Sequence, residues 1–148
     1  MVDSRAKGAR GEYLVRDMLR DATKHKFERV PSSGALAYLK GDIYIPDADN
    51  AFCIEVKNYE KSPFSDKIFT NKTNYFLLWW EKIVKQAELK LQQPLLFFKY
   101  SRSKIYVATT IKPKNMEKFV HVFWLNCYVM LAEEWLNNEE VEFIRGKF

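Results

Sequence analysis

The 148-residue sequence predicts an α/β fold, with one central mixed β-sheet and helices packed against it. Three observations carry that expectation. Two stretches, near residues 8–23 and 74–91, repeat apolar residues at helical spacing. Around them lie short runs rich in β-branched and aromatic residues, bounded by Pro, Gly, Asn and Asp. Their order is helix, three strands, helix, then two or more strands, in a length that suits one domain spanning residues 1–148.

Gly8 to Thr23 is expected as the first helix, with Leu14, Val15, Met18, Leu19 and Ala22 at helical spacing and Arg10, Arg16, Asp17, Arg20 and Asp21 on the other face. Lys24 to Lys26 place positive charge at its C-terminal end, where the helix dipole favours it. Phe27 to Val30 reads as a short extended piece, broken by the turn Pro31-Ser32-Ser33-Gly34. Asp42 to Ile45 reads as a strand, Pro46 to Asn50 as a hairpin turn, and Ala51 to Lys57 as the returning strand. The second long helix is expected from Asn74 to Leu91, followed by a buried strand, Leu95 to Lys99. Tyr100 to Ser103 reads as a turn, and Lys104 to Ala108 as the partner strand. Phe119 to Leu131 is apolar and holds one or two strands; Glu133 to Glu142 is acidic and either helical or loose at the surface. There is no internal repeat and no linker.

Composition narrows the classes. Apolar residues at 47% and charged residues at 29% exclude a disordered chain, and five Gly with five Pro exclude a collagenous or low-complexity one. The 16% aromatic content requires a core or a contact surface rich in rings. No run of about 18 apolar residues exists, so no membrane span is expected, and Met1 to Lys7 lacks the apolar run of a signal peptide. A cytoplasmic location is the expectation. Cys53 and Cys127 are expected as two buried free thiols. With only two His, in no clustered spacing, they cannot form a zinc site of the usual kind. The balance of 24 Lys+Arg against 19 Asp+Glu, a net charge of +5, makes nucleic acid a plausible partner but does not by itself identify one.

Chemistry is concentrated in Asp42, Glu55 and Lys57. Glu55 and Lys57 are two apart on an expected strand and so share a face, while Ile54 and Val56 turn to the other face and the core. The 46–50 turn folds Asp42 back beside Glu55. Two carboxylates and an ammonium at one end of a hairpin suit Mg²⁺, which binds through one or two carboxylates and substrate phosphate. A metal there activates water and neutralises phosphate charge, and Lys57 can orient the water or stabilise the pentavalent phosphorus. The competing reading is a surface salt bridge, since Glu-x-Lys triplets are frequent. The apolar strand around the pair argues against it, because charges are rarely placed in a central strand without a role.

Asp42, a hairpin, then Glu55-Val56-Lys57 resembles the PD-(D/E)XK nuclease superfamily, and more narrowly the archaeal-type Holliday junction resolvases, including those carried by phages. Four pieces match in order: Lys7-Gly8-Ala9-x-x-Glu12, Ser32-Ser33-Gly34, Gly41-Asp42-Ile43, and Cys53-Ile54-Glu55-Val56-Lys57. They cover residues 5 to 60 well, continue loosely through Gln86 and Pro94 to Lys99, and stop near residue 110. Position 41 departs from the superfamily's name by being Gly rather than Pro. The resemblance implies a restriction-endonuclease-like core, a catalytic set of Asp42, Glu55 and Lys57, and Glu12 as an accessory acidic residue helping to hold metal. Mg²⁺ is the implied metal, with Mn²⁺ substituting. It further implies phosphate contact by Ser33 or Ser32, with a turn-forming role as the alternative, and a homodimer acting on a four-way junction. If the chain is phage-encoded, the host cytoplasm is the expected location. Lys7, Arg10 and Arg29 are the candidate DNA contacts. Gln86 is a candidate to reach the site from the second helix, against a solvated position. Glu12 has a second reading as an Arg16 ion pair one turn along.

Three functions remain open on these grounds: a structure-selective junction-resolving endonuclease, a restriction-like or repair nuclease on ordinary duplex, and a catalytically idle DNA-binding module. The intact Asp42, Glu55 and Lys57 set argues against the last.

Overall fold

The computed structural model describes residues 4–31, 41–63, 65–70 and 74–146. Helix α1 spans Ser4–Thr23, strands β1 Glu28–Arg29, β2 Ile43–Tyr44 and β3 Phe52–Tyr59 follow, and helix α2 spans Tyr75–Leu89. Strands β4 Gln93–Tyr100, β5 Tyr106–Thr109, β6 Val120–Val122 and β7 Cys127–Leu131 come next, before helix α3, Ala132–Asn138. One seven-stranded sheet runs through them in the order β1-β2-β3-β4-β5-β7-β6. Only β3 and β4 pair in parallel, because α2 carries the chain back between them; every other neighbour is antiparallel. This is the mixed α/β arrangement that the order of periodicities predicts.

The alternation of the central strands sorts the core into two layers. Ile54, Val56, Leu95 and Phe97 turn to one face, where Val15 and Leu19 of α1 and Trp135 of α3 close over them. Cys53, Leu96 and Phe98 turn to the other, under Phe76, Trp80, Ile83 and Ala87 of α2. Glu55 and Lys57, at alternate positions with Ile54 and Val56, therefore lie on the α2 side.

Several boundaries differ from expectation for local reasons. Helix α1 begins at Ser4 rather than Gly8. Gly8 lies inside the helix without ending it. Helix α2 starts one residue later than read, since Asn74 caps it by accepting from the Phe76 and Leu77 amides. Phe119 to Leu131 resolves into β6 and β7, joined by a 3₁₀ turn that ends on Asn126 in the left-handed conformation. The acidic end is helical over 132–138. The chain then returns to the core: Phe143 is buried against Phe27, Phe52 and Trp135, and its carbonyl accepts from the Ala51 amide. Trp79 and Trp80 are both buried in the core beneath α2. Cys53 and Cys127 are buried free thiols, as expected, and burial pushes Cys127 up to about 12.

Candidate active site

The hairpin between β2 and β3 builds the site, and its register is set by polar contacts. Asn50 holds the turn, its Oδ1 accepting from the Ile45 amide while Nδ2 donates to the Ile45 and Ala48 carbonyls. Ile43 then faces Ile54 across the ladder, and the Asp42 amide donates to the Ile54 carbonyl at 2.7 Å. The Asp42 carboxylate reaches along β3, where Oδ2 accepts from the Val56 amide at 2.8 Å. One carboxylate oxygen is thus fixed by the backbone beside Glu55.

Gly41 makes this approach possible. Its φ is +88°, and a Cβ there would lie 2.5 Å from the Ile54 carbonyl oxygen. Proline, locked near φ −65°, cannot adopt that backbone. The departure from the superfamily's name therefore has a steric cause.

Glu55 is buried, and two ammonium groups approach its Oε1: Lys57 Nζ at 3.5 Å and Lys82 Nζ at 3.7 Å. Lys82 comes from α2 and was not singled out by the sequence. The available signal was its spacing, one helical turn before Gln86 and so on the same face of α2. Gln86 Oε1 is itself buried without a hydrogen-bond partner among the described residues, which is not the solvated position that was the alternative reading.

Burial pushes the Asp42 carboxyl up from an ordinary 3.8 to about 7, and the Glu55 charge adds to this, against the Val56 amide and Lys57. Two carboxylates held together in low dielectric repel. A divalent cation held by these carboxylates would relieve that repulsion, and oxygen donors are what a hard cation prefers. Asp42 and Glu55 therefore fit a metal. Among the described residues no three His, Cys, Asp or Glu groups converge as a metal cage, so Glu12 does not complete one with Asp42 and Glu55.

Glu12 is close enough to raise Asp42 further, but its carboxylate is engaged. Arg29 Nε donates to Glu12 Oε1 at 3.0 Å, Arg29 Nη1 donates to the Tyr13 hydroxyl, and the guanidinium lies over the Tyr13 ring. The Arg16 pairing that was the second reading of Glu12 does not form: Arg16 bonds Asp17 instead. The Glu12 bond holds Arg29 more firmly protonated than usual, and Arg29 is tied into the protein rather than free to reach outward. Arg10 is exposed, and Lys7 Nζ lies 3.4 Å from Ser101 Oγ at the β4–β5 turn. Ser32 and Ser33 lie outside the described residues. Asn58, also missed by the sequence, docks α1: its Nδ2 donates to the Lys7 carbonyl, and Gly11 leaves room for its side chain.

A carboxylate pair fitted for a metal and flanked by two lysines on a β-hairpin suits metal-assisted phosphodiester hydrolysis. The family described as "Phage putative PDDEXK endonuclease" matches residues 3–145, and the chain belongs to it; it is therefore a nuclease acting on DNA, of a class that is generally dependent on divalent metal. Protein D14 of Escherichia phage T5 is 35% identical over 154 residues, covering 95% of this chain and 96% of that one. Among solved structures, Hjc, a Holliday junction resolvase of the archaeal hyperthermophile Archaeoglobus fulgidus, aligns over 90% of this chain and 95% of its own, at 18% identity and a TM-score of 0.46.

Proposed function

We propose that residues 1–148 form a single nuclease domain that resolves four-way DNA junctions as a homodimer, by paired symmetric nicks dependent on Mg²⁺. The observation that carries the catalytic part is the Asp42–Glu55 pair, closed by the Val56 amide on one side and by Lys57 and Lys82 on the other. Asp42 and Glu55 hold the metal, with Glu12 as an accessory acidic residue behind its Arg29 partner. Mg²⁺, when bound, supplies charge neutralisation at the phosphate and acidity to water. The Val56 amide keeps Asp42 aimed, and the buried setting of Glu55 limits competing water. Lys57 orients the attacking water or meets charge on the phosphorus.

Junction selectivity rests on the four ordered sequence pieces shared with the resolvases, and symmetric assembly matches a two-fold substrate. Lys7, Arg10 and either Ser33 or Ser32 are the phosphate contacts. Arg29 supports that surface through Glu12 and Tyr13. Action in the host cytoplasm follows for a phage enzyme of this kind.

The test is incubation of the purified protein with Mg²⁺, Mn²⁺ or Ca²⁺ on a synthetic immobile junction and on linear duplex of equal length. Symmetric nicks on the junction, with Mg²⁺ or Mn²⁺ and little turnover with Ca²⁺, are expected, because Ca²⁺ takes more ligands in looser geometry. Equal cutting of the duplex favours a restriction-like or repair nuclease. Binding without metal-dependent nicking leaves the idle module.

A further inference from the structure

Beyond Lys57, β3 continues to Tyr59, which alternation places on the same face as Glu55 and Lys57. Tyr59 meets two rings from the first turns of α2. Its centroid lies 4.8 Å from Trp79 and 5.9 Å from Tyr75, and Tyr75 lies 6.1 Å from Trp79. The three planes are within 22° of parallel. Near-equal separations make this a tile of overlapping rings rather than a column, in which the outer pair would stand much farther apart than the inner pairs. Trp79 is buried and anchors the tile, while Tyr59 and Tyr75 are 41% and 62% exposed.

Core packing does not account for two large rings held parallel and left open to solvent. We propose that this tile is a stacking platform for a DNA base left unstacked at a branch point flanking the scissile phosphate. The inference rests on the nuclease reading above and adds a base-recognition site to it. At about 3.3 Å per strand residue, Tyr59 lies roughly 7 Å beyond Lys57. That is the span of about two stacked nucleotides at roughly 3.4 Å each. DNA whose phosphate reaches Asp42, Glu55 and the lysines and which follows β3 runs past the rings. An intact duplex offers them no base face, since each base is covered by its neighbours. A branch point does, and aromatic stacking tolerates any base because every base has a π-face. The platform gives each protomer its own preference for branched DNA, separate from the geometry of a dimer.

Tyr75→Ala is the informative variant, because the ring is exposed and its loss opens no core cavity; Tyr75→Phe keeps the stack. Binding of the full chain is measured in Ca²⁺ at fixed salt, to a four-way junction carrying 2-aminopurine at the branch and to linear duplex of equal length. Tyr75→Ala should bind the junction about tenfold more weakly and the duplex unchanged, with Tyr75→Phe restoring wild-type binding. The 2-aminopurine fluorescence should be quenched by wild type and Tyr75→Phe and much less by Tyr75→Ala. Unchanged junction binding by Tyr75→Ala, equal loss on both DNAs, or quenching that persists in that variant overturns the platform. Nicking by wild type in Mg²⁺ is scored separately. Its absence sinks the nuclease reading, while the binding ratio and the quenching still decide the platform.

Discussion

At the scale of single residues, the site is governed by what surrounds two carboxylates. Asp42→Asn retains an acceptor for the Val56 amide, and Glu55→Gln retains the side-chain volume, so both variants should fold. Each is expected to lower cleavage by on the order of a hundredfold to a thousandfold or more. Junction binding should change little, because it rests on phosphate contacts; normal binding with retained cleavage would remove these residues from the mechanism. Lys82→Met should reduce cleavage less severely, since Lys57 still faces Glu55. The raised Asp42 carboxyl also has a thermodynamic signature. Its folded value, about 7, lies above the ordinary 3.8, so between those pH values the native metal-free protein binds more protons than the unfolded chain. Stability from this group is therefore full below about pH 4 and is lost as pH rises towards 7. Asp42→Asn should raise the metal-free Tm at pH 8 and much less at pH 4. Added Mg²⁺ should raise the wild-type Tm more at pH 8 than at pH 5, because protons compete for the same oxygens. Thermal scans of both proteins at these pH values, with and without chelator, decide the point.

At the scale of elements, α1 reaches the site through its fit against β3. Gly8 and Gly11 lie three apart on that helix yet face opposite circumstances. A Cβ at Gly11 would sit 2.8 Å from the Asn58 Cβ, whereas one at Gly8 meets nothing within 4 Å. Gly11→Ala should cost about 1–3 kcal/mol by forcing the helix off the strand. Gly8→Ala should stabilise by up to about 1 kcal/mol through helix propensity. Urea unfolding of the two variants distinguishes a packed glycine from a merely tolerated one; equal effects would show that α1 does not press on β3 at Asn58. The helix periodicity was visible in Leu14, Val15, Met18 and Leu19. The role of Gly11 was not, because it depends on a strand 47 positions away.

At the scale of the whole molecule, the C-terminal segment closes the layer beneath the β2–β3 hairpin. Ile144 bridges Asn50, the Arg145 amide donates to the Asp49 carbonyl, and the Arg145 side chain bonds Asp49 and the Leu91 carbonyl. Phe143 fills the space between Phe27, Phe52 and Trp135. Phe143→Ala should cost about 3–5 kcal/mol, with cleavage at low temperature falling less than stability does; a near-native denaturation midpoint would show that the tail only rests on the surface. The charge of +5 bears on binding at this scale. Junction affinity should fall steeply with salt as phosphate contacts release counterions. A competition titration against duplex, with a mass measurement in solution, tests the paired assembly. A monomer with no junction preference would leave only the general nuclease.

The sequence by itself determined the class of fold, the hairpin and the gathering of Asp42, Glu55 and Lys57 upon it, because each rests on local information: periodicity, turn residues and two-residue alternation along one strand. The same local rules put Ile54 and Val56 in the core and left Cys53 and Cys127 as buried thiols. Only the tertiary structure decided that Lys82 joins Glu55, that Glu12 pairs with Arg29 rather than Arg16, and that Tyr59, Tyr75 and Trp79 form one surface. It also decided that Gly41 must be glycine and that Phe143 belongs to the core. Each of these depends on which face of one element meets another distant in the chain. That choice is made by packing the described strands and helices together, and spacing within a single segment shows at most which residues share a face.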